Sequence, residues 1–277
     1  MTAINEKYID LMKNVLIDMH RIEKGEYLPV AKMTLFGKKK VWGVLDKWMK
    51  SYGMAVCKEV KFTPDQRLTG RDWPVNADSM IGLKRMENIE YCVKEVIRNN
   101  VPGDLIETGV WRGGATIFMR AILYAFGVTD RTVWVADSFE GLPKPDEAKY
   151  EADKGDIHHI YHKELAIPLE SVQYNFKKYG LLDNQVKFLK GWFKDTLPTA
   201  PIKQLAVARL DGDMYESTID ALNSLYPKLS VGGFLIVDDW GAVEGCRKAV
   251  LDYREKHGIT EEIIDIDGLG VYWKRER

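Results

Sequence analysis

Four strand ends of the 277-residue chain carry acids placed to suit ligand chemistry, and a fifth stretch offers an aromatic pair. The first is Glu107-Thr108-Gly109-Val-Trp-Arg-Gly113-Gly114. Glycines at a strand-to-helix turn let the backbone approach a ligand and begin a helix without a side-chain clash. Alone, they fit a nucleotide cofactor or simple tight packing equally well. Glu107 separates the cofactors, because a carboxylate inside the turn repels a dinucleotide pyrophosphate and attracts an amino or sulfonium group. The reading therefore moves from NAD, which would want G-x-G-x-x-G, to S-adenosylmethionine.

Asp137, followed by Ser138, ends the next apolar run. An acid there is placed to accept hydrogen bonds from both hydroxyls of a ribose; its rival role is a helix N-cap. Gly191-Trp192-Phe193 offers an aromatic pair that either flanks an adenine ring or packs in the core. The most specific constellation is Leu210-Asp211-Gly212-Asp213 with Val237-Asp238-Asp239-Trp240. Neighbouring strands lie roughly 4.8 Å apart, so carboxylates ending adjacent strands can meet around one cation. Carboxylate oxygens with no His or Cys among them select a hard ion such as magnesium, and bunched acids repel one another unless neutralised. His158, His159 and His162 complete no fixed zinc ligand set and read as part of a solvated or substrate-covering loop over 139–168.

These acids need a scaffold that brings strand ends side by side. Apolar runs at 104–109, 132–137, 185–190, 204–210 and 233–238 alternate with helical periodicity at 78–99, 113–126, 169–179, 216–229 and 243–257. Strands separated by helical crossovers imply a parallel, doubly wound α/β sheet. The stretches 263–266 and 271–273 are joined by only four residues, which makes a hairpin and an antiparallel final strand. Upstream, Ile4, Tyr8, Leu11, Met12, Val15, Leu16, Met19 and Ile22 mark an amphipathic helix ending near Gly25. Residues 37–53 join Lys38, Lys39 and Lys40 to Trp42, Leu45, Trp48 and Met49 and read as a helix packed on the body or on a second subunit. Gly70-Arg71-Asp72-Trp73-Pro74 is turn chemistry, so a helical N-terminal arm or lid is expected over 1–75 and the main domain over 76–277.

Composition excludes other classes. Forty Lys and Arg against forty-one Asp and Glu leave a net charge of -1, so no global field draws the chain to nucleic acid or anionic lipid. The three cysteines, Cys57, Cys92 and Cys246, have no C-x-x-C spacing, which makes a reducing cytoplasm the expectation. Charges interrupt the first twenty residues, and no apolar run approaches the roughly 18 residues of a membrane span. G-x-S-x-G and Walker A sequences are missing, which removes the usual hydrolase and P-loop readings.

With these positions in hand, the chain resembles the macrocin O-methyltransferase family, metal-dependent sugar O-methyltransferases of macrolide and aminocoumarin antibiotic pathways. The matching stretches are Arg71-Asp-Trp-Pro74, Met80-Ile-Gly-Leu-Lys-Arg85, Pro102 to Gly114, Trp134-Val-Ala-Asp-Ser-Phe139, Gly191-Trp-Phe-Lys-Asp-Thr196, Arg209-Leu-Asp-Gly-Asp213 and Val237-Asp-Asp239. The resemblance implies a Rossmann-like class I methyltransferase sheet. It places Glu107, Thr108 and Gly109 on the methionine part of S-adenosylmethionine, Asp137 and Ser138 on the ribose, and Gly191, Trp192 and Phe193 on the adenine side, with Met80 nearby. Asp211, Asp238 and Asp239 would bind magnesium, and Asp211 or Asp213 would be the catalytic base. The expected acceptor is a glycoside small molecule, with a catechol-like phenol as the alternative, and the expected assembly is a homodimer or higher oligomer formed through N-terminal segments. A catalytically silent S-adenosylmethionine-binding module is the rival from another class.

Overall fold

A computed structural model describes residues 2–24, 26–29, 47–55, 57–61, 63–72 and 74–277. Lys38, Lys39, Lys40, Trp42, Leu45 and Trp73 lie outside the described residues. Strands β1 (Glu26–Pro29) and β2 (Cys57–Val60) form a separate antiparallel pair in the N-terminal segment, which no alternation in the sequence announced.

The main sheet begins where apolar side chains occupy both faces, as strands covered by helices on two sides require. Its members are β3 (Asp104–Thr108), β4 (Val133–Asp137), β5 (Val186–Lys190), β6 (Leu205–Leu210), β7 (Leu229–Val237), β8 (Ile264–Asp265) and β9 (Val271–Lys274). They lie in the order β5-β4-β3-β6-β7-β9-β8. β3 to β7 are parallel, whereas β9 pairs antiparallel with both β7 and β8. The chain therefore winds outward from β3 in one direction and from β6 in the other. The carboxyl ends of β3 and β6 form the switch point at which open α/β sheets bind ligands.

Among the described residues, six longer helices cover the sheet: α1 (Ala3–Leu16), α2 (Gly82–Arg98), α3 (Gly114–Ala125), α4 (Leu169–Lys178), α5 (Tyr215–Leu225) and α6 (Glu244–His257). Ile9 and Leu16 of α1, Met86 of α2, Phe118 of α3 and Phe176 of α4 share one apolar cluster. Leu222 of α5, Val250 of α6 and Trp273 of β9 belong to the cluster on the other face. α1 is thus packed into the body, and its Asn5 amide donates to the Ala125 carbonyl at 2.6 Å.

Several boundaries differ from the periodicity, among them the end of α5, which falls at Leu225 rather than 229. α1 stops at Leu16 and a 3-10 turn follows at Met19–Lys24, because the Ile17 and Asp18 carbonyls accept from the Arg67 guanidinium at 2.6 and 2.9 Å and Asp18 adopts φ 55°. α2 begins at Gly82 rather than 78, since the Asp78 and Ser79 amides donate to the Leu16 carbonyl. β7 begins at Leu229 rather than 233; Leu229 already pairs with Leu205, and the register shift that follows lets Gly232 turn at φ 86°.

Candidate active site

A cavity of about 760 Å³ opens over the switch point. The β3 turn enters it first. Gly109 has φ 81°, and a Cβ there would stand 1.6 Å from the Asp211 carbonyl oxygen, so only glycine lets β3 end against β6. Glu107 sits just beneath, 2 % exposed, with Oε1 accepting from Arg209 Nη1 at 2.5 Å and Oε2 buried without a hydrogen-bond partner. Burial raises its pKa to about 7, against the opposing pull of Arg209. A buried carboxylate oxygen without a partner retains the capacity to accept a hydrogen bond.

Asp137 ends β4 and lines the cavity. Its two oxygens accept from the backbone amides of Val110 and Phe139, each at 2.7 Å. Burial raises its pKa, offset by those amides. Among the described residues Asp137 caps no helix; its carboxylate instead clamps the glycine-rich turn after β3 to the end of β4. Ser138, Met80, Trp192 and Phe193 also line the cavity. Thr108 is wholly buried beneath it and Gly191 lies behind its wall, the Gly191 amide bonded to the Asp137 carbonyl.

On the other side stand the four acids. Oxygens of Asp211, Asp213 and Asp239 lie within 4.8 Å of one another, the one His, Cys and carboxylate group among the described residues with such spacing. Burial raises the pKa of all three, and neighbouring carboxylates raise it further: Asp238 acts most strongly on Asp211, and Asp213 on Asp239. Asp213 reaches about 6, with His158 pulling the other way. Such mutual repulsion is what a bound dication removes, and a donor set of carboxylates alone suits magnesium.

Asp238 was grouped with Asp211 and Asp239 by sequence, but here its oxygens engage two cations, Arg85 on one side and Arg209 on the other. Asp213 takes its place in the converging trio. The physical reason is the loop after β6: Asp213 adopts φ 59°, and its amide donates to Asp239 at 2.9 Å, which turns it toward β7.

Sequence reasoning missed the two arginines. Arg209 lies within the fully buried run of β6, and its guanidinium touches Glu107, Asp211 and Asp238. A lone arginine among apolar strand residues was the available signal, since a buried charge needs partners. Arg85 on α2 binds Asp238, Asp267 at 3.1 Å and the Thr69 carbonyl at 3.2 Å. It ties the hairpin and the N-terminal segment to the site. Of the three histidines, His158 lines the cavity and His159 does not, while the His162 side chain lies outside the described residues.

The family model described as macrocin-O-methyltransferase (TylF) matches residues 5–275. The chain belongs to the macrocin O-methyltransferase family. A tetracenomycin 4'-O-methyltransferase of Streptomyces olivaceus is 59% identical over 210 residues, 76% of this chain and 80% of that protein. Demethyldecarbamoylnovobiocin O-methyltransferase of Streptomyces niveus is 58% identical, covering 79% of this chain and 84% of its own. The solved structure of the O-methyltransferase NovP has 49% identity and a TM-score of 0.84 over 99% of this chain and 100% of that one. This family member is accordingly an O-methyltransferase, and the doubly wound sheet with its antiparallel edge is the fold its sequence implied. No helix among the described residues is long and apolar enough to cross a membrane.

Proposed function

We propose that the enzyme transfers a methyl group from S-adenosylmethionine to a sugar hydroxyl of a glycosylated natural product, with magnesium at the acid cluster. The observation that carries this reading is the pairing, within one cavity, of the bare Glu107 oxygen with the Asp211, Asp213 and Asp239 trio. One suits the cationic methionine end of the donor, the other a dication beside the acceptor. The relatives support the choice of acceptor: the Streptomyces olivaceus protein acts on a rhamnosyl-tetracenomycin, and a Micromonospora griseorubida relative, 53% identical, is a mycinamicin III 3''-O-methyltransferase.

In this reading Glu107 and the Gly109 turn hold the methionine moiety, Asp137 and Ser138 face the ribose, and Trp192 and Phe193 flank the adenine. Asp211 and Asp239 hold magnesium, with Asp213 or Asp238 as the third carboxylate. The ion supplies Lewis acidity, which makes a weakly acidic sugar hydroxyl a usable nucleophile. Asp213 or Asp211 would accept the hydroxyl proton, and S-adenosylmethionine held by Glu107, Asp137 and Ser138 would supply the methyl group. A phenol, with a pKa near 10, needs less help, so the extra carboxylate of Asp213 beside Asp211 favours the sugar. Incubating the enzyme, magnesium and labelled donor with glycosides and with catechols decides the matter. Label on glycosides is expected; label on catechols alone would refute the sugar reading, and full activity in excess EDTA would refute the metal.

The enzyme is further proposed to work in the cytoplasm as a homodimer or larger oligomer. All three cysteines are free, and Ile4 and Leu11 leave apolar side chains exposed on α1. Light scattering that gives a single-chain mass would overturn the oligomer.

A further inference from the structure

Arg85 stands near the start of α2, is buried, and reaches three parts of the chain that are distant in sequence. Nη1 donates to Asp238 Oδ2 after β7, Nε to Asp267 Oδ2 at 3.1 Å in the hairpin between β8 and β9, and Nη2 to the Thr69 carbonyl at 3.2 Å in the N-terminal segment. Two glycines make room for it. A Cβ at Gly70 would stand 2.5 Å from Nη2, and one at Gly270 would stand 3.0 Å from Cδ. A planar guanidinium bonded along three directions holds one orientation.

Both acidic partners are themselves held from behind. Asp238 gives its other oxygen to Arg209. Asp267 Oδ1 accepts the Leu269 and Gly270 amides at 3.0 and 2.9 Å, which shapes the hairpin turn around the carboxylate. The turn is in contact with the acid cluster's own loop, because the Leu269 carbonyl accepts the Gly241 amide at 2.7 Å, two residues after Asp239. Asp238, Arg85 and Asp267 therefore form a buried relay from the cluster to the hairpin.

We propose that Arg85 is a positioning residue of the magnesium site, which fixes the Asp238 carboxylate in the orientation that serves the ion and is itself held in place by Asp267. This inference rests on the magnesium reading of the acid cluster, with Asp238 as the third carboxylate. Each carboxylate oxygen has two lone pairs, so one engaged by Arg85 still has another for a cation. Hydrogen-bond partners behind a metal ligand set its direction, and losing one typically costs about 10- to 100-fold in metal affinity. A guanidinium that served only as a counter-charge would act with the opposite sign: it repels a neighbouring dication, and its removal would tighten magnesium binding.

The test measures magnesium affinity by calorimetry in the absence of acceptor, for wild type, Asp238→Asn, Arg85→Gln, Arg85→Lys and Asp267→Asn. Asp238→Asn should weaken magnesium binding, and Arg85→Gln should weaken it about tenfold. Arg85→Lys keeps the charge but loses the fork that reaches both acids, so it should also bind magnesium more weakly than wild type. Asp267→Asn, a change outside the cluster, should give a smaller loss of the same sign and add nothing to the loss in Arg85→Gln. S-adenosylmethionine affinity should stay the same in the Arg85 and Asp267 variants, and if Arg85→Gln does not fold, Arg85→Lys and Asp267→Asn carry the comparison. Magnesium affinity unchanged or tighter in the Arg85 variants overturns the assignment while leaving the magnesium reading in place. A loss confined to the Arg85 variants overturns the part given to Asp267. A wild-type chain that binds no magnesium, or an undiminished Asp238→Asn, overturns the underlying reading and this assignment with it.

Discussion

Arg209 and Glu107 sit directly opposite each other on β6 and β3, and the guanidinium Nη1 reaches Oε1 at 2.5 Å. The same nitrogen donates to Asp211 at 2.8 Å, and the second terminal nitrogen reaches Asp238. One buried cation thus joins the proposed methionine receptor to the acid cluster. Either side of the site therefore feels a change in the other.

Replacing Arg209 with methionine leaves two buried acids, Glu107 and Asp238, short of a counter-charge. Breaking one partner of a buried pair typically costs about 3–5 kcal/mol. Urea unfolding should show a loss of that order, with Arg209→Lys between the variant and wild type because it keeps the charge but loses the planar fork. An unchanged midpoint in Arg209→Met would mean that the acids find other partners or take up protons at no cost.

The raised pKa of Glu107 gives donor binding a pH dependence with a definite sign. Glu107 reaches about 7 in the free protein, so near neutrality part of the population is protonated. A cationic amino group favours the ionised form and lowers the pKa in the complex. Affinity should then be greatest above pH 7 and fall as pH drops below it, by at most tenfold per unit, levelling off below the pKa of the complex. Calorimetric titration of S-adenosylmethionine between pH 5.5 and 8 checks this. Glu107→Gln should bind weakly with a flat profile, and a flat wild-type profile would remove Glu107 from the methionine site.

Magnesium titrations separate the four aspartates. Asp211→Asn and Asp239→Asn should each weaken magnesium binding and lower turnover at least tenfold, with donor affinity nearly intact, since each removes charge from the trio without touching Glu107. The third ligand is decided by comparing Asp213→Asn with Asp238→Asn: the larger loss of magnesium affinity marks it. Undiminished magnesium binding in both Asp211→Asn and Asp239→Asn would place the ion elsewhere.

What was legible from sequence follows the range of the interactions involved. The parallel strands and their helices announce themselves locally, through apolar runs such as Val133–Ala136 and the periodicity of Met86, Ile89, Val93 and Val96 on α2. The short 267–270 connection required the antiparallel hairpin seen at β8 and β9. Acids at strand ends are equally local, so Glu107, Asp137, Asp211 and Asp239 were found from position alone. Which acid faces which neighbour is not local. Asp238 meets Arg85 from 153 positions away, a contact set by how α2 lies across β6 and β7, and Asp213 turns inward through one left-handed residue. The early end of α1 has the same origin, a guanidinium some fifty residues downstream.

That guanidinium, Arg67, gives the last prediction. It is 2 % exposed; Nε donates to Asp72 Oδ2 at 2.5 Å, and Nη1 to the carbonyls of Ile17 and Asp18. The Arg67–Asp72 pair therefore pins the end of α1 to the turn before Met80, a residue of the cavity wall. Arg67→Ala removes the cation and leaves the Asp72 carboxylate buried, together with two carbonyls that lose a donor, and should cost about 3–5 kcal/mol. The double variant Arg67→Met with Asp72→Leu removes both charges and fills the space with apolar volume, so it should be more stable than either Arg67→Ala or Arg67→Met alone. Chemical denaturation of the single and double variants supplies the comparison. A double variant no more stable than Arg67→Met would mean that the carbonyl contacts, rather than the ion pair, carry the clamp.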